Sequence, residues 1–293
     1  MSGASGRESI GVRGSVAPMT RIVALTGAAL GVLVLVLVLT GSRPPGPQVM
    51  AALGDSLTIA LRACSDDGSV DCRARSWSTG TSPAVDSHLL RLRRRGQQLA
   101  AYNLAVSARK VELLDGQVRQ AVARGADYVT ILMGTNDVCR EDLARMTPVA
   151  TFRNQVSIAI STLAAGRPRA RIFVASLPDP ERLRELFASD ARARAVWARD
   201  DTCAVFLRDP LSQRPPDRAR RALAGGRRAD FDRALADACA MHQRCVFDAG
   251  AVSGWDFGRE HISAADYFHF SPRGQAELAA RTFRRAFPAT DRR

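Results

Sequence analysis

Ser56, Asn136, Asp266 and His269 are residues whose types and spacing suit one reaction, nucleophilic attack on a carbonyl carbon. Ser56 stands in Gly54-Asp55-Ser56-Leu57, directly after an apolar run. A serine at a tight strand-to-helix turn is exposed beside a helix N-terminus, where free N–H groups and the helix dipole favour developing negative charge. Asn136 follows a second apolar run, in Gly134-Thr135-Asn136-Asp137, and its amide is a candidate oxyanion donor. Taken alone, each of these two segments also reads as an ordinary capped turn. Asp266 precedes His269 by three residues, so its carboxylate can hold the imidazole Nδ1–H on a one-turn loop and leave Nε2 for a serine. His88, His242 and His261 lack a carboxylate at that spacing before a core helix and read as structural or solvent-facing. Asp55 and Asp137 read as braces of their turns.

These residues need a frame that brings them together. Five apolar runs, Gln48–Leu53, Ala100–Leu104, Tyr128–Met133, Ile172–Ser176 and Cys245–Phe247, have the length and composition of buried strands. Helical stretches alternate with them, expected near Pro83–Arg95, Val111–Arg124, Thr151–Ala165, Glu181–Arg199 and Phe231–His242. A last helix starts at Ser271-Pro272, an N-cap followed by proline at the first helical position, with Ala276, Ala279, Phe283 and Phe287 toward the core. Strand–helix alternation predicts a mostly parallel sheet covered on both faces, a three-layer α/β/α domain with its site at the carboxyl ends of the strands. No repeat of 20–50 residues recurs, which excludes solenoid and propeller architectures.

The ordered set of motifs resembles the SGNH, or GDSL-type, hydrolase family over roughly Val49 to Arg285. Ala51-Ala52-Leu53-Gly54-Asp55-Ser56-Leu57-Thr58, Arg75–Gly80 and Gly134–Cys139 are most similar to phospholipase B-like and secreted actinobacterial esterase members. The resemblance implies a flavodoxin-like hydrolase fold, Ser56 as nucleophile, His269 as general base and Asp266 as its orienting partner. It also implies an oxyanion hole from the Ser56 backbone N–H, Asn136 and a backbone N–H after the second strand. There the family's glycine position is held by Ala108, which would cost about 1 kcal/mol if the backbone takes a positive φ. Trp77 is a candidate wall of the acyl pocket, with core packing as the alternative, and Arg109 a candidate contact for an anionic head group. Residues 178–233 read as a helical insertion or lid, with breaks at Pro210, Pro215-Pro216 and Gly225-Gly226.

Ile22–Leu39 is an 18-residue uncharged stretch that as a helix spans about 27 Å, enough for a bilayer core. Arg7, Arg13 and Arg21 precede it, which orients residues 1–21 to the cytoplasm. A transmembrane signal anchor is the first reading and a cleaved signal peptide the second. A stiff Pro-rich linker, residues 40–47, leads to an exported domain at 48–293, outside the cell membrane or secreted. Cys64, Cys72, Cys139, Cys203, Cys239 and Cys245 all lie in that domain, an even count that suits disulfides in an oxidising compartment. Near neighbours favour Cys64–Cys72 and Cys239–Cys245, leaving Cys139–Cys203. No cysteine or histidine spacing suggests a metal, and no cofactor is expected.

The net charge of +13 falls to +10 from residue 48 onward, because four arginines and one glutamate precede it. Basic residues are interleaved with acids and aromatics make up only 6%, so the surplus does not read as a nucleic-acid stripe. The expected activity is ester hydrolysis on lipid, phospholipid or short acyl esters by a monomer. Acyl transfer or deacetylation on envelope glycans is the alternative, and an anchored protein that grips anionic surfaces is a third.

Overall fold

A computed structural model describes Gly11, residues 46–64 and residues 70–288. The expected cytoplasmic tail at 1–21, membrane or signal helix at Ile22–Leu39 and most of the 40–47 linker lie outside the described residues. No helix among the described residues is long and apolar enough to cross a membrane.

Five parallel strands form one sheet in the order β2-β1-β3-β4-β5: β1 Val49–Gly54, β2 Ala100–Asn103, β3 Tyr128–Leu132, β4 Arg171–Val174 and β5 Cys245–Phe247. All five expected strands are present, β5 with its expected ends and the others with ends shifted by at most two residues. Every residue of β3 is buried, as a strand covered on both faces requires. The helices are α1 His88–Arg94, α2 Leu114–Ala123, α3 Thr135–Val138, α4 Val149–Gly166, α5 Pro180–Phe187, α6 Ala191–Arg199, α7 Ala204–Leu207, α8 Pro215–Ala240 and α9 Pro272–Ala286. Right-handed crossovers put α1 and α9 on one face and α2, α4 and α8 on the other. The packing of α9 on α1, and of α4 on both α2 and α8, agrees.

Three helical expectations change. The stretch Glu181–Arg199 is two helices, because Asp190 accepts N–H bonds from Arg192 at 3.0 Å and Ala193 at 3.3 Å and so starts a second one. The helix expected from Phe231 begins at Pro215 and runs straight through Gly225-Gly226. Each glycine costs such a helix about 1 kcal/mol. Burial of Ala224, Phe231, Ala234 and Leu235, with Phe231 stacked on Phe152 at 4.0 Å, outweighs that. No α-helix follows Ser56. Residues 55–63 form successive turns, broken where Ala60 and Arg62 take φ of 57° and 60°. The N-terminal α-helix dipole expected behind the serine is therefore absent from this segment.

The structure pairs Cys64 with Cys72, Cys139 with Cys203 and Cys239 with Cys245. The second ties the loop after β3 to the segment between α6 and α7, within the 178–233 insertion.

Candidate active site

The sheet changes direction of winding between β1 and β3, and the crevice at their carboxyl ends is where an open parallel sheet admits ligands. Ser56 and Asn136 flank it. At the end of β1, Gly54 takes φ 145°, and a Cβ there would stand 2.2 Å from the Leu132 carbonyl oxygen on β3. Only glycine permits that approach. The Gln117 side chain clamps the same residue, accepting from its N–H at 2.7 Å and donating to its carbonyl at 2.9 Å. The strand end is thus fixed before the chain turns into Asp55 and Ser56.

Ser56 Oγ lies 2.8 Å from His269 Nε2, and His269 Nδ1 lies 2.6 Å from Asp266 Oδ2. With the proton on Nδ1, the ring donates to Asp266 and accepts from Ser56. Oδ1 of Asp266 also accepts the backbone N–H groups of Phe268 and His269, each at 3.0 Å. Burial alone would raise the Asp266 carboxyl; the bond from His269 and the two N–H groups outweigh it and hold it below the usual value. The carboxylate therefore stays ionised beside the imidazole. Ser56 is 6% exposed, so the arrangement sits in the floor of the crevice rather than on a rim.

The loop after β2 is anchored by a bond from Val106 N–H to the Gly54 carbonyl at 3.2 Å. Ala108 takes φ 57°, so alanine adopts here the left-handed backbone that glycine would take without strain. Asn136 Nδ2 donates to the Arg109 carbonyl at 3.1 Å, which joins the Asn136 turn to the Ala108 loop. That bond engages one Nδ2 hydrogen, and a side-chain hydrogen bond between Asn136 and Asp55 partly offsets the rise of the Asp55 carboxyl on burial. Among the described residues, the backbone N–H groups of Ser56 and Ala108 have no acceptor. The Arg109 side chain is exposed, and what it contributes so far is its carbonyl.

Asp55 and Asp137 brace the turns. Asp55 Oδ1 accepts from Leu57 N–H at 3.0 Å; Asp137 accepts from Val111 N–H at 3.0 Å and from the Thr147 hydroxyl at 2.7 Å. Burial pushes the Asp55 carboxyl up to about 7 and that of Asp137 to about 6. Trp77 takes the core option and not the pocket: it is 0% exposed, edge-on to His88 at 5.2 Å and near Phe173. His88 is likewise structural, bonded to Tyr128 Oη and Thr282 Oγ1 at 2.7 and 2.8 Å, with burial lowering its pKa to about 3. Among the described residues, no group of three His, Cys, Asp or Glu side chains is gathered for a metal ion.

An apolar pocket opens beside the serine, and its lining includes Leu57, Thr135 and Phe268 from the site and Pro178 and Leu183 from the insertion. The insertion, read from sequence as a helical insertion or lid able to supply substrate selectivity, thus lines the pocket, although sequence did not single out its lining residues. The available signal was Pro178-Asp179-Pro180, a capped helix start at the carboxyl end of β4, where site loops belong.

The profile of the GDSL-like Lipase/Acylhydrolase family matches residues 52–277. "Phospholipase B1, membrane-associated" of Rattus norvegicus is 29% identical over 180 residues, 50% of this chain and 12% of that protein. The protein of the same name from Mus musculus is 27% identical over 204 residues, 57% of this chain and 14% of that one. The match thus spans less than a sixth of either relative. Among solved structures, the crystal structure of TesA covers 82% of this chain and 99% of its own, with a TM-score of 0.53 at 15% identity, a likeness of fold.

Proposed function

This chain belongs to the GDSL-like lipase/acylhydrolase family, and on that premise we propose that it hydrolyses carboxylic esters through an acyl-serine intermediate on Ser56. His269 takes the Ser56 proton as Oγ attacks the ester carbonyl carbon. Negative charge then gathers on the carbonyl oxygen, where the N–H groups of Ser56, Ala108 and Asn136 receive it. His269, now an imidazolium held by Asp266, gives the proton to the departing alcohol oxygen. It next takes a proton from water as the water oxygen attacks the acyl carbon, and returns that proton to Ser56 Oγ as the Oγ–acyl bond breaks and the carboxylic acid departs. The cycle calls for neither metal nor cofactor.

The observation that carries this reading is the unbroken chain from Ser56 Oγ through His269 to Asp266, at 2.8 and 2.6 Å. Lipid, phospholipid or short acyl esters are the proposed substrates; the phospholipase name of two relatives favours the lipid part of that range. Ile22–Leu39 would serve as a signal anchor or signal peptide that puts the hydrolase outside the membrane, supported by its length, its apolar composition and the arginines before it.

The test is hydrolysis of p-nitrophenyl acetate by the full chain in detergent. Ser56→Ala and His269→Ala should each lower kcat by about 1,000-fold or more. Wild-type turnover in both variants would overturn the assignment. Acyl transfer to a glycan acceptor would show instead as acylated sugar in place of free acid.

A further inference from the structure

The oxyanion donor Asn136 and the base His269 reach the site from two separate segments. Asn136 lies in the single turn of α3, and His269 in the loop before α9. Attack on an ester needs both set against one carbonyl group, so the spacing between the segments matters as much as the geometry within either. Yet among the described residues no hydrogen bond joins residues 134–140 directly to residues 263–270.

The insertion supplies the connection. Cys139 closes α3 by donating its N–H to the Thr135 carbonyl at 2.8 Å, and it is disulfide-bonded to Cys203. Beside that bridge the Val205 N–H donates to the Arg140 carbonyl at 2.9 Å. Earlier in the same segment, the Trp197 indole N–H donates to the Tyr267 carbonyl at 3.2 Å, inside the loop from Asp266 to His269.

The stretch between these attachments is short and itself fastened. The Thr202 N–H donates to the Trp197 carbonyl at 3.1 Å, and Arg220 Nε of α8 donates to the Val205 carbonyl at 3.1 Å. Trp197, Cys203 and Val205 are 3%, 5% and 0% exposed, so close packing leaves the stretch no room to swing aside. One buried segment thus grips the α3 turn covalently at one end and the histidine loop at the other.

We propose, building on the acyl-serine reading above, that residues 197–205 act as a brace that sets the spacing between Asn136 and His269, with Trp197 and the Cys139–Cys203 bridge as its positioning attachments. Neither attachment need touch the ester, since each acts through the segment it holds. A brace works only while fixed at both ends, so freeing one end releases the same motion as freeing both. Two supports that acted separately would give losses that multiply.

Two double-mutant cycles test this on p-nitrophenyl acetate, with the full chain in detergent well below its melting temperature. Trp197→Phe, and Cys139→Ser together with Cys203→Ser, should each lower kcat about fivefold and keep KM within about twofold of wild type. All three substitutions together should also lower kcat about fivefold. A combined loss of about 25-fold, the product of independent effects, overturns the brace. So does a serine pair with wild-type kcat. The second cycle leaves the cysteines alone and decides even where the serine pair fails to fold. In an Asn136→Ala background, Trp197→Phe should lower kcat less than about twofold, because the donor whose placement the brace sets is gone. A fivefold loss that persists in that background overturns the brace. Ser56→Ala in the same assay separates the brace from the reading beneath it. Multiplying losses in hydrolysis that Ser56→Ala silences overturn the brace alone, whereas hydrolysis that survives Ser56→Ala overturns the acyl-serine reading and the brace together.

Discussion

The indole N–H of Trp197 donates to the Tyr267 carbonyl across 3.2 Å, and Tyr267 stands between Asp266 and the segment that ends in His269. Helix α6 of the insertion thereby holds the loop that carries Asp266 and His269. Tyr267 needs holding, since it takes φ 57°, a conformation that costs a side-chain-bearing residue about 1–2 kcal/mol. Phe187 from α5 adds an edge-on ring contact at 5.4 Å.

Trp197→Phe keeps the ring and removes the bond. Losing about 1 kcal/mol of loop positioning should lower kcat on the acetate ester about fivefold while KM stays nearly constant. Steady-state kinetics read this directly. A change confined to KM would show that α6 acts on the pocket and not on the loop.

Asp55 should make stability depend on pH. Burial raises its carboxyl from 3.8 to about 7, so the folded chain keeps a proton that the unfolded chain has released. Between about pH 4 and 7 the unfolded state binds fewer protons, and stability falls as pH rises through that window. Asp137, raised to about 6, acts in the same direction. Asp55→Asn should flatten the profile and gain on the order of a few kcal/mol over wild type above pH 7. Urea unfolding across that range measures it, and parallel profiles for the two proteins would refute it.

Ala108→Gly should relieve the left-handed strain at φ 57°. A gain of up to about 1 kcal/mol in stability is expected, with turnover within about twofold of wild type. Thermal melting and kcat/KM together check this. A large loss of activity would mean that the methyl group itself shapes the oxyanion loop.

The Cys139–Cys203 bridge closes a 64-residue separation. Replacing both cysteines by serine should cost about 4 kcal/mol through the added freedom of the unfolded chain. The acetate ester should be turned over more slowly near the melting temperature, because the bridge ties the insertion to the Asn136 loop. Unfolding by guanidinium, with and without reductant, gives the measurement: the difference between wild type and the serine variant should vanish when reductant opens all three bridges in the former and the remaining two in the latter.

Much of this protein is local in origin and so was legible in sequence. β1, β3 and β5 are apolar runs that only a covered parallel sheet accommodates, and the turns after β1 and β3 carry glycines where side chains cannot pass. The Ser271-Pro272 start of α9 is chemistry of adjacent residues, and so is the three-residue step from Asp266 to His269. Other features depend on partners distant in sequence. The run of α8 through Gly225-Gly226 follows from what its flanks bury against α4, and Trp77 lies inside because His88 and Phe173 close around it. The left-handed turns at Arg62 and Tyr267 are held from afar, by the Ser263 hydroxyl on the Arg62 carbonyl and the Trp197 indole on the Tyr267 carbonyl.

Sequence alone placed the strands along the chain, singled out Ser56, Asn136, Asp266 and His269 as candidates and favoured the pairing of nearby cysteines. Tertiary structure alone decided that an insertion read as a lid forms the wall of the pocket and the support of the histidine loop. The physical reason is range. Propensity, capping and hydrophobic period act over a few residues. Leu183 and Phe257 share a pocket with Leu57, and Trp197 bonds the loop that carries His269, through packing between segments far apart in sequence, and no local pattern encodes that.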